Sequence, residues 1–378
     1  MTEFAAALEA VGLFSLLERV IMAVTSFATG DALAVKLWSK KIAVEALKQT
    51  WVYKFMGTDD NSVIQIFDDT QKSAGDRIRI PLRRLLAGNG VVGDQTLEGN
   101  EERINYYSDD VYINQLRHAV REGGKFTRQL VPFDIREHAR AGLQDWWADR
   151  IDYWFFNQIC GNTAQTDVRF TGLQSAIQPD TDHLVIAGGS AGTTTVGSLS
   201  AAEVMDLKLI DVCVERAKTL DVPIRPIMIN GEEKYVMFLH HYQVTDLRTN
   251  TNTGQWFDIQ KAAMQGGNVT QNPIYTGAIG EYNGVILHAS NRVPLANTAA
   301  SAVANTRMAA FCGAQAIGMA FGRENGPERF NWVEDYFDYE NQFGVAAGCI
   351  GGMKKLVFNG SDFATIAVAT YAAKHTSD

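Results

Sequence analysis

Gly88, Gly90 and Gly93 are spaced as in the fingerprint that binds the pyrophosphate of a dinucleotide cofactor. In that motif a buried strand leads into the glycines, and a helix begins directly behind them. Here Arg77 and Arg79 alternate with isoleucines before the glycines, which indicates a strand with one face in water. A polar run without an apolar helical period follows. The context therefore favours a two-stranded arm with a flexible tip. A nucleotide-dependent enzyme built on these glycines is the least favoured alternative.

Two other groups of residues could do chemistry. His240 and His241 are adjacent, so on a strand they would face opposite sides and could not bind one metal together. Glu98, Glu101 and Glu102 could form an acidic metal site, but a solvated or partner-facing loop explains them better. The sequence holds no nucleophile elbow, phosphate-binding loop or zinc-protease motif. We therefore predict no catalytic residue, no cofactor and no metal, and a protein that is not an enzyme.

The composition limits the class of protein. The chain has 378 residues, of which 46% are apolar, and this suffices for two ordinary domains or one large one. A net charge of −9 argues against binding of a nucleic-acid backbone over the whole protein surface, because such binding depends on Lys and Arg that displace counterions. The four cysteines are far apart, which predicts reduced, buried thiols. The apolar stretch at residues 4–25 carries charges and lacks a basic leader, so we predict neither a signal peptide nor a membrane span.

The three glycines must be positioned by the strands around them. Residues 76–86 and 103–120 are predicted as two strands that flank a polar tip at 87–102. The first strand is rich in arginine and the tip is rich in glutamate. We therefore predict that these charges pair with a neighbouring copy, because complementary charges set register and association. The candidate contact residues between subunits are Arg77, Arg79, Arg83, Arg84, Glu98, Glu101 and Glu102.

The strongest helix signal lies beyond this arm, at residues 132–161. Asp134 would cap its start, with Glu137 completing a capping box, and Gly161 stands at its end. A helix of about 26 residues would be roughly 40 Å long. A second capping box, formed by Ser200 and Glu203, predicts a helix at 203–219.

Short elements make up the rest of the chain. Asn-Gly at 283–284 predicts a tight hairpin. Two helical runs are predicted within residues 1–75 and a further helix near 255–265. The segments predicted as strands are 184–186, 226–230, 309–321, 339–351, 355–358 and 365–369. Together these elements predict an α+β fold.

Motifs along residues 31–372 match, in order, those of a known family. They include Leu37-Trp38-Ser39-Lys40, Gly75-Asp76-x-Ile78-x-Ile80, Leu86-x-Gly88-x-Gly90, Leu97-Glu98-Gly99-Asn100-Glu101-Glu102, Gln115-x-x-His118, Phe133-Asp134, Gly280-Glu281-Tyr282-Asn283-Gly284 and Asp338-Tyr339-x-Asn341. The series resembles the major capsid proteins of tailed bacteriophages, in particular the branch typified by the short-tailed coliphage N-four. The order of the motifs along the chain makes the resemblance specific.

The resemblance implies the Hong Kong 97-type capsid fold, an α+β fold with four named parts. The expected division is 1–75 as the N-terminal arm, 76–120 as the extended loop, 121–202 as the peripheral domain with a spine helix at 132–161, 203–334 as the axial domain, and 335–378 as the return to the peripheral domain and the C-terminus. Subunits of such a shell form rings through heterologous contacts that close by rotation.

The same resemblance implies a structural function. The chain would self-assemble into pentamers and hexamers of an icosahedral shell that encloses phage double-stranded DNA without sequence-specific binding and without a membrane. It would be assembled in the host cytoplasm and belong to the virion, with scaffold, portal and decoration proteins as further expected partners. An encapsulin-like compartment with protein cargo is the alternative within this fold. No lysine lies between Lys72 and Lys125, so the loop cannot supply a covalent cross-link, and we predict a non-covalent shell.

Overall fold

A computed structural model describes residues 50–67, 75–83, 86, 88–94, 96–130, 135–189, 195–229, 231–250, 280–298, 301–322 and 329–375. Of the two helical runs predicted within 1–75, the first and most of the second lie outside these residues, as does the helix predicted near 255–265. The second run is predicted to reach Trp51, which begins a 3-10 turn. The described helices are α1 (Lys125–Leu130), α2 (Ile135–Ile159), α3 (Leu207–Thr219) and α4 (His241–Thr249), with short 3-10 turns at Trp51–Phe55, Val168–Phe170 and Val196–Ser198. No described helix is both long and apolar enough to span a bilayer.

The strands form two large sheets and three small two-stranded ribbons. In chain order they are β1 (Met56–Gly57), β2 (Ile64–Phe67), β3 (Arg77–Arg83), β4 (Tyr106–Tyr112), β5 (Asn114–Arg121), β6 (Leu184–Ile186), β7 (Ile227–Ile229), β8 (Glu232–Leu239), β9 (Glu281–Tyr282), β10 (Val285–Ala289), β11 (Asn297–Thr298), β12 (Ser301–Ala302), β13 (Thr306–Cys312), β14 (Ile317–Phe321), β15 (Asn331–Phe337), β16 (Gln342–Lys355), β17 (Val357–Phe358), β18 (Ser361–Asp362) and β19 (Thr365–Tyr371).

The first large sheet has six strands in the order β1-β2-β14-β16-β15, with β5 also paired to β16. Its long central strand β16 alternates: Phe343, Val345 and Ala347 are buried, and glycines occupy positions on the other face. The side chain of Arg117 on β5 lies across Gly348, where a Cβ would meet the arginine Cγ at 2.9 Å. The glycines of β16 therefore let long side chains of the neighbouring strands lie flat on the sheet.

The second large sheet has seven strands in the order β6-β19-β13-β8-β10-β9, with β7 also paired to β8. The hairpin predicted from Asn-Gly is confirmed between β9 and β10, because Asn283 and Gly284 both have positive φ, 47° and 73°. This sheet joins β6 and β19, from segments expected to be peripheral, to strands between 227 and 312. The division of the chain into peripheral and axial parts stays a prediction.

The predicted long helix is confirmed as α2, which has 25 residues. Its predicted cap, Asp134, lies outside the described residues, whereas Gly161 ends the helix with a φ of +61° and a hydrogen bond from its N–H to the Gln158 carbonyl, 3.1 Å. Trp147 and Trp154 are fully buried and join one apolar core that extends into both large sheets. The helix is therefore the element on which the two sheets are organised.

Several details of the predicted elements are wrong. The run predicted as one strand at 103–120 forms β4 and β5, and the run at 309–321 forms β13 and β14, which lie in different sheets. Ser200 does hydrogen bond to Glu203, but helix α3 begins only at Leu207, where Asp206 caps it by accepting from the Leu209 N–H at 3.0 Å. His240 and His241 do not lie on a strand, because β8 ends at Leu239 and α4 begins at His241. Strands β8 and β15 and helix α4 have no counterpart among the predicted elements.

Candidate functional site

Strands β3 and β4 form the predicted arm, an antiparallel ribbon in which Ile78 pairs with Val111 and Arg79 with Asp110. One face of the ribbon is buried: Ile78 and Val111 pack in a small apolar cluster with Ala320, Leu356 and Phe358 of the same subunit. The other face carries arginines and is exposed. The alternation of the sequence therefore predicted both faces correctly.

The described structure around the three glycines differs from that of a dinucleotide fingerprint. The strand before them belongs to a two-stranded antiparallel ribbon, and no helix occurs in the described residues 88–94 and 96–105. Gly90 and Gly93 have φ angles of +68° and +67°, with nothing within 4 Å of an added Cβ. These two glycines supply left-handed backbone conformations in an open turn, and no phosphate cradle surrounds them.

The arginines near the start of β3 are engaged within their own ribbon. Arg79 donates to both oxygens of Asp110, at 2.8 and 3.0 Å, and Arg77 donates to the same carboxylate at 3.1 Å. The hydrogen bond from Arg79 lowers the pKa of Asp110. Arg83, at the far end of the strand, is exposed and makes no ion pair with any described residue. Arg84 lies outside the described residues.

The predicted acidic residues brace the tip of the arm. Glu102 accepts from the Gly88 N–H at 2.6 Å and so joins the two legs of the tip. Glu101 accepts from the Gly99 N–H at 2.8 Å. Glu98 is exposed, and so are large apolar side chains beside it: Val92 is 79% exposed and Leu97 60%. The glutamates therefore lie on a tip that presents both charge and apolar surface.

Sequence reasoning missed the residues that hold the root of the arm. Asp109, on β4, forms an ion pair with Lys354 and accepts from the Val357 N–H at 3.0 Å. A Cβ on Gly352 would overlap the carbonyl oxygen of Tyr112, so glycine is needed where the root crosses β16. No local signal could have paired Asp109 with Lys354, because 245 positions separate them.

The remaining candidate chemical groups have structural roles. His240 caps α4, with its Nδ1 accepting from the Tyr242 N–H at 3.1 Å. All four cysteines are free and buried, as predicted, and burial raises the pKa of the Cys213 thiol to about 12. Within the described residues no group of three His, Cys, Asp or Glu side chains is arranged to hold a metal ion.

Comparison with known proteins identifies the family. A family model described as phage capsid protein matches residues 26–374. The major capsid protein of Pseudomonas phage KPP25 is 28% identical over 367 residues, which cover 88% of this chain and 93% of that protein. The capsid of Ralstonia phage GP4 is 32% identical, with a TM-score of 0.73, and the match covers 94% of this chain and 100% of that one.

A more distant structure supports the fold. The capsid asymmetric unit of cyanophage Pam1 is 21% identical, with a TM-score of 0.70 over 87% of this chain and 94% of that one. The Hong Kong 97-type fold and the structural function that the sequence motifs implied are both confirmed by these matches. The chain therefore belongs to the phage capsid protein family.

Proposed function

We propose that this capsid protein assembles into pentamers and hexamers of an icosahedral shell around double-stranded DNA, and that the β3–β4 arm ties neighbouring subunits together. The observation that supports this proposal is the contrast along the arm: its root is fixed to its own subunit by the Asp109–Lys354 pair, and its tip presents Glu98, Val92 and Leu97 to solvent. A projecting tip with charged and apolar surface is suited to an inter-subunit contact.

The proposed division into domains follows the sheets more closely than the sequence boundaries do. The arm would be the extended loop, and α2 the spine helix. Because β6 and β19 pair within the seven-stranded sheet, we assign 184–186 and 365–371 to the axial domain together with the strands between 227 and 312. The six-stranded sheet, which packs with α2, would form the peripheral domain.

The proposed partners follow from charge and chemistry. A net charge of −9 suits a container that encloses DNA without gripping its backbone. Scaffold and portal proteins, and a decoration protein, are the further partners we propose, with assembly in the host cytoplasm. The absence of lysine from residues 73–124 leaves the arm without a cross-linking amine, so the shell would be non-covalent. Boiled particles should run as a single subunit band on denaturing gels, and a ladder of multimers would contradict this.

Charge reversal at the end of the arm tests the proposed contact. We expect Arg83→Glu and Glu98→Lys each to lower the yield of particles by about tenfold or more, because like charges that face each other across a contact cost affinity. Light scattering and negative-stain microscopy measure the yield. The unassembled subunits should keep the wild-type circular dichroism spectrum. Arg79→Gln is the matched control, since Arg79 is engaged by Asp110 within its own arm. Normal assembly of both tip variants would overturn the assignment of this tip as a contact.

The contents of wild-type particles test the rest of the proposal. Megadalton particles that contain double-stranded DNA when purified from infected cells are the expected result. Particles filled with folded protein cargo would instead indicate a compartment, and a chain that stays monomeric and binds a dinucleotide would overturn the structural function altogether.

A further inference from the structure

The short turn Trp51–Phe55 is where the N-terminal part of the chain joins the described body. It rests first on α2: the Asp152 carboxylate accepts from the backbone N–H groups of Trp51, at 3.3 Å, and Val52, at 3.2 Å. Asp152 also pairs with Arg292 at 3.1 Å and is only 2% exposed. One buried carboxylate thus links the turn, the long helix and the segment after β10.

The turn rests secondly on the seven-stranded sheet. The rings of Trp51 and Phe55 pack against Phe238 of β8, with centroids 5.8 and 5.0 Å apart, and against His288 of β10 at 6.0 and 5.0 Å. The Lys54 ammonium lies 4.5 Å above the Trp51 ring and 3.5 Å from the His288 Nδ1. In this arrangement the neutral imidazole accepts a hydrogen bond from a cation, which a protonated ring cannot do.

We infer that acid pH releases the Trp51–Phe55 turn from the sheet, because a protonated His288 no longer accepts from Lys54 and instead repels it. Two positive charges would then stand 3.5 Å apart, and the half-buried imidazole would carry its charge among aromatic rings. The rings of Trp51 and Phe55 pack against the imidazole, so its charge would be poorly hydrated while the turn is seated.

The titration of His288 supports the direction of the effect. Burial, and then the charge of Lys54, lower the pKa of His288 from 6.5 to about 4. A histidine with a lowered pKa binds its proton less tightly in the seated state than in the released state. The seated turn is therefore fully stabilised above pH 6.5 and loses stability as the pH falls towards 4.

The other charged groups around the turn do not produce this release. Burial raises the pKa of Asp152, so through this carboxylate the seated state gains stability as the pH falls, which opposes release. Arg292 and Asp149 face Asp152, and Lys54 is the charged group that faces His288 among the described residues. At pH 5 a released His288, with its ordinary pKa of 6.5, is protonated, whereas the seated His288, with a pKa of about 4, is mostly neutral, so this histidine favours release at that pH.

Hydrogen exchange of the unassembled full-length subunit tests the inference. After correction for intrinsic exchange, we expect the protection of the amides in Trp51–Phe55 to fall roughly tenfold between pH 7 and pH 5. This value is below the roughly 20-fold that pKa values of 6.5 and about 4 give between pH 7 and pH 5, because solvent partly screens the pair. His288→Phe keeps the ring contacts and removes the titration, so its protection should not change over this range. Lys54→Met removes the repelling charge and should reduce the fall.

His240 supplies the matched control. Burial lowers the pKa of His240 to about 4 as well, but its Nδ1 caps α4 and does not touch the turn. His240→Asn keeps a capping acceptor, and the turn should still lose protection in acid. The inference is overturned if wild type shows no fall, or if the fall persists in His288→Phe. Because the experiment uses unassembled subunits, its outcome is independent of whether the arm contacts a neighbour.

Discussion

The root and the tip of the β3–β4 arm are built from the same two strands, yet their charges are used in opposite ways. At the root, Asp109 is buried against Lys354, and Ile78 and Val111 pack on the subunit's own core. At the tip, Arg83 and the glutamate region are exposed beside apolar side chains. In our proposal this contrast separates two tasks: the root fixes the direction of the arm, and the tip meets another molecule.

Two adjacent aspartates show how strongly the surroundings decide what a charge does. Asp109 and its partner Lys354 are 9% and 13% exposed, whereas Arg77 and Arg79, the partners of Asp110, are 44% and 61% exposed. Removing one member of a buried ion pair leaves the other charge buried without compensation. When an exposed pair is broken, water solvates the remaining charge. Identical side chains one position apart should therefore differ greatly in their effect on stability.

The largest expected effect comes from breaking the root. Asp109→Asn should lower the free energy of unfolding of the unassembled subunit by about 3 kcal/mol, because Lys354 then stays partly buried without its counter-charge. Urea denaturation measures this change. Asp110→Asn is the matched control and should shift the midpoint only slightly. Equal losses from the two variants would show that the root and the exposed face do not differ.

Two glycine substitutions test the same difference between the root and the tip of the arm. Gly352→Ala puts a Cβ into the carbonyl oxygen of Tyr112 at the root, and backbone must move, so we expect a loss of about 2 kcal/mol. In Gly93→Ala at the tip the added Cβ meets no atom within 4 Å. The loss of stability is then only that of holding alanine in a left-handed backbone conformation, about 1 kcal/mol. Thermal unfolding of the two variants measures the difference, and a greater loss from Gly93→Ala would contradict the description of the tip as open.

Local signals predicted the arm, the long helix and the Asn-Gly hairpin, because alternation, helical spacing and turn residues act over a few positions. The start of α4 escaped prediction because its cap is His240, which is not one of the usual capping residues. Strand β8 escaped because its second half, from Tyr235 to Leu239, is buried at every position and shows no alternation.

The candidate site was predicted only in part, for a related reason. The sequence located the charged residues of the arm but did not show which of them pair within their own subunit. Arg79 donates to Asp110 on the other strand of the ribbon, 31 positions away, and Asp109 forms an ion pair with Lys354 on β16. Contacts of this kind depend on tertiary structure, and periodicity along the chain carries no information about them.

A smaller effect is expected where the tip is braced. Gly88→Ala places a Cβ 2.8 Å from the Glu102 Oε2, and the carboxylate, at the end of a flexible side chain, can move away. The hydrogen bond from the Gly88 N–H would then be lost, at a cost of about 1 kcal/mol or less. Glu102→Gln, which keeps an acceptor, is the control. Hydrogen exchange of the tip should increase in Gly88→Ala and stay near wild type in Glu102→Gln.

The smallest effect is expected from the exposed pair formed by Arg79 and Asp110. The hydrogen bond from Arg79 lowers the pKa of Asp110 below 3.8, so the pair contributes stability above pH 3.8 and loses it as the pH falls through the lowered pKa. The melting temperatures of wild type and Asp110→Asn should differ slightly at pH 7 and converge once the pH falls below the lowered pKa of Asp110. Added salt should also remove the difference at pH 7, because salt screens exposed charges. A difference that survives both treatments would mean that Asp110 acts through packing, and the exposed face of the arm would then share in fixing its root.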